Sequence, residues 1–303
     1  MKKKIPVILS VDTGVDDAVA ILMSLASKNL EIKLIVCGHG NASLEHVANN
    51  TLGVLELASA PQIPVILGTL PSEKRQTQIH NAHGTNGLSG VILETGNRKF
   101  SMRPAENEIF RIAQETENLH FINLGPSTTL ASTITKFPEI KNKLKKIIFM
   151  GGSIEERLDT QKPYSEYNVA SDPESAEIIF KSGIDILMVP TEIGRKAFLD
   201  YFDIFKTKTT NHTGEVLEKI YRNYKHRALK FGVATCDSAT IFSIDCPEIF
   251  HIQPVHGFVK YFDNIGTGVC LFDFENTPNM NVVTDVDIKK FKKHYFKLLS
   301  KLP

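Results

Sequence analysis

The sequence contains no tryptophan, few cysteines and no long apolar run, and the last two of these features exclude classes of protein. Its four cysteines are widely separated and form neither a CxxC pair nor a zinc-ligand spacing, which indicates reduced thiols. No stretch of roughly 18 apolar residues occurs, so no membrane-spanning helix is predicted. A formal net charge of +1 leaves no broad basic surface, so neither nucleic acid nor a membrane is an expected partner.

The first residues only partly resemble a secretion signal. Lysines precede an apolar stretch, but that stretch stops at Asp12 and no small-residue cleavage site follows. The segment Ile5–Val11 is therefore predicted as the first strand, and we expect the protein to be cytoplasmic.

Short apolar runs alternate with amphipathic stretches, which predicts an α/β fold with an open, mostly parallel sheet and helices on both faces. We expect one domain over residues 1–303. The segment from Gly68 to Arg103 is predicted as a long functional loop. Phe198–Ala234 is predicted as mainly helical, and the last fifty residues as short strands and a final basic helix. Predicted strands are Ile5–Val11, Ile32–Gly38, the short PVIL, His120–Gly125, Lys145–Gly152 and Ile184–Pro190; predicted helices are Asp16–Lys28, Leu44–Ala60, Ser127–Lys136 and Pro173–Ser182.

Three acidic residues lie where the first predicted strand meets the first predicted helix. Acids stabilise a helix N-terminus by about 0.3–1 kcal/mol each, so capping explains one or two of Asp12, Asp16 and Asp17. Three carboxylates in one small space raise one another's pKa values, and a cation removes that penalty. An all-oxygen set suits Ca²⁺ or Mg²⁺. Successive helical residues project about 100° apart, so we expect Asp16 and Asp17 to serve different partners.

Two later segments carry further polar candidates. Asp172, followed by Pro173, is predicted to start a helix. Glu166 and Asn168 lie upstream, and alternate residues of an extended segment share a face, so they form either a site or an exposed polar loop. Asp237 precedes an apolar stretch and is a candidate N-cap when considered alone.

Taken in chain order, these features resemble the inosine–uridine-preferring nucleoside hydrolase family over essentially the whole chain. The specific motifs are D-x-G-x-D-D-A at residues 12–18 and E-Y-N-x₃-D-P-E at residues 166–174. The supporting features are Gly40-Asn41, His83-Gly84, Leu124-Gly-Pro, Met150-Gly-Gly and Asp237.

The resemblance implies Ca²⁺-dependent hydrolysis of the N-glycosidic bond of ribonucleosides to free base and ribose, by a homodimer or homotetramer. It implies a Ca²⁺ ion bound by Asp12, Asp17, Asp237 and the Leu124 carbonyl. A metal-bound water activated by Asp12, and placed with the help of Asn41, would attack C1′. The substrate-binding residues that it implies are Asp16, His83, Glu166, Asn168, Tyr224 and Cys236.

The chain departs from the family pattern at several positions. Ser10 and Thr13 replace an acid and a proline of the opening motif, and the loop before Glu166 lacks a frequent asparagine. Cys236 stands where many members carry the histidine that protonates the leaving base, so Tyr224, His226, Arg227 and solvent become the alternative proton donors.

Two other interpretations stay open. These departures suggest, as an alternative to the hydrolase, a nucleoside- or ribose-binding homologue with little or no turnover. Acids at strand ends also suggest an aspartate-based phosphohydrolase, but no phosphate-binding glycine–lysine element accompanies them.

Overall fold

The computed structural model describes residues 3–72, 81–154, 166–224, 232–262 and 267–303. The strands of these residues are β1 (Ile5–Val11), β2 (Leu30–Cys37), β3 (Val65–Leu67), β4 (Leu119–Asn123), β5 (Leu144–Met150), β6 (Ile186–Val189), β7 (Leu199–Asp200), β8 (Gly232–Val233), β9 (Phe250–Phe262), β10 (Thr267–Asp273) and β11 (Met280–Val286). The helices are α1 (Val15–Ala26), α2 (Leu44–Leu57), α3 (Ala105–Glu115), α4 (Thr128–Lys136), α5 (Tyr167–Ser171), α6 (Pro173–Phe180), α7 (Thr191–Lys196), α8 (Tyr201–Lys208), α9 (His212–Asn223), α10 (Cys236–Asp245) and α11 (Ile288–Leu299).

A nine-stranded sheet in the order β10-β9-β11-β6-β5-β4-β1-β2-β3 forms the centre of the fold. β1 to β6 and β11 pair in parallel, whereas β9 is antiparallel to both β10 and β11. The prediction of a mostly parallel sheet is therefore confirmed. β1 lies between β2 and β4, so the chain reverses its direction of strand addition there. In open α/β sheets, ligands bind beyond the strand ends at such a switch point.

Apolar side chains on both faces of the sheet hold the helices in place. Along β1, Leu9 and Val11 belong to one core cluster and Ile8 to the other, as the period of two requires. α1 is buried along most of its length because it packs on the sheet, α2, α10 and α11. This rigid packing positions the turn between β1 and α1.

Several predicted elements differ from those observed. The prediction of only short strands near the carboxyl terminus is wrong, because β9 runs for 13 residues along two antiparallel partners. The region Phe198–Ala234 contains α8 and α9 as predicted, and also the two-stranded sheet of β7 and β8. The predicted loop from Gly68 to Arg103 has only a short 3₁₀ turn at Asn81–His83 among its described residues.

A buried polar cluster at the amino end of β2 joins the carboxyl ends of α1 and α10 to α11. The Asp245 carboxylate accepts hydrogen bonds from Ser27 Oγ at 2.5 Å and Asn29 Nδ2 at 2.9 Å, and pairs with His294 Nε2 at 2.7 Å. Burial alone would raise the pKa of Asp245, but these hydrogen bonds outweigh it and hold the pKa below its usual range.

We expect Asp245→Asn to lower the free energy of unfolding by about 3 kcal/mol, because it breaks a buried pair and leaves its partners unsatisfied. Urea denaturation measures this loss. A depressed carboxyl pKa stabilises the fold above its unfolded value of about 3.9, and this contribution is lost as the pH falls through the folded value. The difference between wild type and variant should therefore shrink below about pH 4; a constant difference would contradict the depressed pKa of Asp245.

Candidate active site

Asp12 lies directly after β1, at the switch point of the sheet, and its carboxylate is enclosed by backbone. Its Oδ2 accepts the backbone N–H of Asn41 at 2.8 Å. A Cβ atom on Gly40 would lie 1.9 Å from Asp12 Oδ2, and one on Gly125 would lie 2.7 Å from Oδ1. Gly40 also has a φ of 152°, which other residues rarely adopt. Both glycines are therefore required for the turns to approach this carboxylate.

Asp17 is held at the N-terminus of α1 by three donors. Its Oδ1 accepts the Asp12 N–H at 3.1 Å, and its Oδ2 accepts the Gly14 N–H at 3.0 Å and Asn41 Nδ2 at 3.2 Å. Asn41 thus orients both acids, one through its backbone and one through its side chain. Carboxylates that bind metals are commonly fixed by such outer hydrogen bonds.

Asp16, Asp17 and Asp237 each bring a carboxylate oxygen to within 4.8 Å of the others. This proximity is compatible with different partners for Asp16 and Asp17, so that expectation stays a prediction. Asp237 lies in the first turn of α10, whose N-cap is Thr235, so the N-cap interpretation is wrong. Asp12 is not one of these three acids, but its backbone N–H donates to the Asp17 carboxylate and so links it to them.

These acids are held in a buried and mutually repulsive arrangement. Burial, and then the neighbouring acids, raise the pKa values of Asp12 and Asp237 well above the usual range. Burial raises the pKa of Asp17 to about 6, with a contribution from Asp16, and burial raises that of Asp16 to about 6. A divalent cation would offset both the burial of negative charge and the repulsion between the carboxylates, because its positive charge balances theirs. The donor set consists of hard oxygens, so it fits Ca²⁺ or Mg²⁺ better than zinc.

Asn168 lies close to the carbonyl that the resemblance implies as a metal ligand. Its Nδ2 donates to the Leu124 carbonyl at 2.7 Å and to the Met150 carbonyl at 3.2 Å. A carbonyl oxygen has two lone pairs, so the Leu124 oxygen can accept this bond and still face a cation. The carboxyl ends of β4 and β5 and the short helix α5 thus converge beside Asp12.

The structure corrects the predicted conformation around Glu166. The residue is the N-cap of α5, so it and Asn168 do not share an extended segment. The Glu166 carboxylate accepts the backbone N–H groups of Asn168 at 2.9 Å, Gly152 at 3.0 Å and Val169 at 3.2 Å. Burial raises its pKa to about 7, although these bonds oppose the rise. Glu166 therefore fixes the backbone that carries Asn168.

His83 and Tyr224 meet above the start of α1. The Val15 N–H donates to His83 Nδ1 at 2.9 Å, and the two rings pack edge to face with their centroids 5.1 Å apart. Tyr224 follows the last residue of α9, so its predicted place within a helix is wrong by one position. A Cβ on Gly14 would lie 2.5 Å from His83 Nδ1, so only glycine permits this approach. The alternative proton donors His226 and Arg227 lie outside the described residues.

Cys236 is the first residue of α10 and lies beside Asp237 in the chain. Its buried thiol is 3.9 Å from the Thr191 hydroxyl. Burial, and then the charge of Asp16, raise its pKa to about 12. The thiol is therefore neutral near pH 7, and thiols are weak hydrogen-bond donors.

We expect Cys236→Ser to keep kcat on inosine or uridine within about tenfold of wild type, since a general acid typically contributes 10²–10⁴. Nitrophenyl riboside, whose leaving group needs no proton, serves as the control substrate. A fall of more than about a hundredfold on nucleosides alone would show that the thiol is the acid.

Asp172 does not belong to the acidic group and caps α6, as its sequence context predicts. It accepts the Ser175 N–H at 3.2 Å, the Ser175 hydroxyl at 2.8 Å and the Thr128 hydroxyl.

We expect Asp172→Ala to destabilise the fold by about 2 kcal/mol, and to leave the kcat of the folded protein within a few-fold of wild type. Thermal unfolding and steady-state kinetics on one preparation separate the two effects, and a variant that kept wild-type stability but lost turnover would refute this assignment.

Several residues that position the site received no specific role from the sequence. A side chain on Gly14 would collide with His83, and one on Gly125 would collide with Asp12. Thr191 contacts Cys236. Ser10 pairs in register with Asn123, whose amide donates to the Gly125 carbonyl at 2.5 Å and so holds that turn. The sequence does show polar residues at the strand ends. Knowing which of them lie side by side requires the strand order, which the sequence does not give.

Comparisons with known proteins identify the class of this fold and site. The sequence model of the family described as inosine-uridine preferring nucleoside hydrolase matches residues 7–293. The chain belongs to this family, and it is a nucleoside hydrolase by sequence and by fold.

Similar proteins span nearly the same length. The non-specific ribonucleoside hydrolase RihC of Klebsiella pneumoniae (strain 342) is 28% identical over 306 residues, covering 99% of this chain and 100% of the relative. A plant nucleoside hydrolase, the PpNRh1 enzyme, superposes with a TM-score of 0.89 at 26% identity, covering 98% of this chain and 99% of that one. The purine-preferring ribonucleoside hydrolase from Gardnerella vaginalis superposes with a TM-score of 0.88 at 25% identity, covering 97% and 98%.

Among the residues that the structure describes, every helix is too short or too polar to cross a lipid bilayer.

Proposed function

We propose that this protein hydrolyses the N-glycosidic bond of ribonucleosides to free base and ribose with the help of one bound Ca²⁺ ion. The observation that carries the proposal is the group of acids at the switch point of the sheet: Asp17 and Asp237, which are buried, Asp16, which is partly buried, and the buried Asp12 beside them. Without a cation, burial and mutual repulsion raise the free energy of these carboxylates, and a bound cation offsets that cost. The similar RihC and purine-preferring enzymes are named as ribonucleoside hydrolases, which supports the substrate class.

The ion would be held by Asp12, Asp17, Asp237 and the Leu124 carbonyl. Asp16 is a further candidate ligand, because one of its carboxylate oxygens lies within 4.8 Å of oxygens of Asp17 and Asp237. When bound, it supplies charge that lowers the pKa of a coordinated water and orients the two hydroxyls of ribose. A cis-diol is required for that orientation, so we expect ribonucleosides to be preferred over deoxyribonucleosides.

The chain's own residues would act on the sugar and the water. Asp12 accepts the proton of the water that attacks C1′, and Asn41 keeps Asp12 oriented through its backbone N–H. Asp16 and Asn168 hold ribose hydroxyls. Breaking the bond places positive charge on the ribose ring, as in O-glycoside hydrolysis, and the surrounding carboxylates stabilise it.

The part of the site that contacts the nucleobase would be formed by His83, Tyr224 and Cys236. Because His83 Nδ1 accepts the Val15 N–H, the neutral ring carries its proton on Nε2 and can donate from there to a base. The neutral Cys236 fills space beside Asp237 and contributes little to protonation of the leaving base. The 5′-hydroxyl would lie near Glu166, whose carboxylate already holds three backbone N–H groups.

A panel of ribonucleosides, assayed for reducing sugar at equal enzyme concentration, tests the proposal. We expect ribose release from at least one purine or pyrimidine ribonucleoside, and loss of release after chelation. A thermal shift with free ribose, combined with no release from any nucleoside, would instead establish the binding-protein interpretation. Mg²⁺-dependent release of phosphate from an ester would establish the phosphohydrolase.

A further inference from the structure

The peptide bond between Gly40 and Asn41 is hydrogen-bonded at both of its polar groups. Its N–H, which belongs to Asn41, donates to Asp12 Oδ2 at 2.8 Å. Its carbonyl, which belongs to Gly40, accepts the Tyr167 hydroxyl at 3.0 Å. In a trans peptide these two groups point in opposite directions. Asp12 and Tyr167 therefore hold one peptide plane from its two sides.

The orientation of this peptide depends on such contacts because a glycine precedes it. Gly40 has no Cβ atom and lies at a φ of 152°, in a region of backbone conformation that leaves its peptide plane free to rotate. Half a turn would direct the Gly40 carbonyl oxygen toward the Asp12 carboxylate, and these like charges repel each other. The same rotation would break the bond to Tyr167. Among the residues that the structure describes, the Gly40 carbonyl has no other hydrogen-bond donor.

Tyr167 is held firmly because it is the first residue of α5 and its side chain is half-buried. Glu166, directly before it, caps this helix, and Asn168, directly after it, donates to the Leu124 carbonyl. The Tyr167 hydroxyl thus connects the helix that carries the proposed ribose contacts to the turn that orients the proposed base. A donor on a carbonyl also polarises the N–H of the same peptide, so it strengthens the bond at the other end.

We propose that Tyr167 is a positioning residue, whose hydroxyl holds the Gly40–Asn41 peptide in the orientation that donates to Asp12. The proposal rests on the proposed function, in which Asp12 accepts the proton of the attacking water. Tyr167 acts through Asp12 in this role and not on the reacting atoms themselves.

Tyr167→Phe removes the hydroxyl and keeps the ring, so it tests the proposal with little change in packing. At saturating Ca²⁺ we expect kcat on ribonucleosides to fall about tenfold, the factor given by one hydrogen bond of typical strength, and KM to stay within about twofold. Tyr295→Phe is the matched control, since it removes a buried hydroxyl that lies 3.1 Å from the Tyr221 hydroxyl and belongs to no part of the proposed site. It should keep kcat.

A double substitution separates positioning from a general loss of structure. If Tyr167 acts through Asp12, removing its hydroxyl from the Asp12→Asn protein should change kcat less than about twofold, because no base is left to orient. An equal loss of kcat in both backgrounds, or no loss in the wild-type background, would overturn the proposal.

Nuclear magnetic resonance gives a readout that does not depend on turnover. The sequence contains two Gly–Asn peptide bonds, Gly40–Asn41 and Gly96–Asn97. Labelling glycine with carbonyl ¹³C and asparagine with ¹⁵N therefore leaves two peaks in a spectrum that correlates carbonyl and amide, and the exposed Asn97 serves as the internal control. In Tyr167→Phe the Asn41 amide should exchange with water at least about tenfold faster, because its peptide is held from one side only, and the Asn97 amide should not change.

The two readouts distinguish failure of this proposal from failure of the proposed function. An Asn41 amide that exchanges equally in wild type and Tyr167→Phe would overturn the proposal, whatever the activity. A wild type that hydrolyses no ribonucleoside would refute the proposed function, and with it a role of Tyr167 in that reaction. Faster Asn41 exchange in the variant would still show in that case that Tyr167 holds the peptide.

Discussion

Asp12→Asn is expected to lower kcat on ribonucleosides by at least about 10³-fold. A general base typically contributes 10²–10⁴, and Asp12 is both the proposed base and a proposed metal ligand. The substitution keeps an oxygen for the Asn41 N–H and removes only the negative charge and the basicity. A loss of this size can therefore be assigned to chemistry rather than to a collapsed turn.

The same variant should be at least as stable as wild type in the absence of metal. Burial raises the pKa of Asp12 because the folded state resists its charge, so a neutral amide removes that cost. Asp245→Asn is the matched control, since it neutralises another buried carboxylate, far from the site, and should lose stability while keeping kcat. An Asp12→Asn enzyme with near wild-type kcat would show that another group takes the proton.

Removal of the metal is expected to produce the second large effect. The acidic group should lose Ca²⁺ on chelation, and ribose release should fall by at least about 10³-fold, because the proposed activation of water depends on the ion. Two independent readouts accompany activity. The melting temperature should fall on chelation, since an ion that binds only the folded state stabilises it, and addition of Ca²⁺ should release protons from the acids.

Single substitutions then identify the ligands. Asp17→Asn and Asp237→Asn should reduce the Ca²⁺ content of the purified protein strongly, whereas Asp172→Ala should not. Asp16→Asn decides between a role on the ribose, where metal content is kept and KM rises, and a role as ligand, where metal content falls. Wild-type protein with no divalent metal, and no response of melting temperature or activity to chelator, would refute the metal site.

Much of the central sheet could be predicted because its strands are short apolar runs that end in glycine or polar residues. The apolar run predicts β1 with its observed bounds, and the sequence places Asp12 and Asp17 close together because both adjoin one turn. Strand order could not be predicted, since it depends on long-range pairing that leaves no local pattern. The position of β1 between β2 and β4, which brings Leu124 to Asp12, therefore appeared only in the structure.

The segments whose conformation the sequence mispredicts are short or lack a hydrophobic periodicity. α5 has five residues, fewer than two turns, so its helical pattern cannot be told from an extended one. The sequence therefore gives no sign that Glu166 caps the helix that carries Asn168. The close approach of His83 to the α1 N-terminus depends on the missing side chain of Gly14, and an absent atom gives no sequence signal beyond the glycine itself.

Hydrolysis in ¹⁸O-labelled water tests the central claim most directly. Metal-loaded enzyme would cleave inosine or uridine without phosphate, with early samples quenched into borohydride so that the anomeric oxygen cannot exchange, and with unlabelled ribose as the exchange control. Mass spectrometry should find one ¹⁸O atom in the reduced ribose and none in the base, because water attacks C1′. Ribose without label, or cleavage that requires phosphate, would contradict the account.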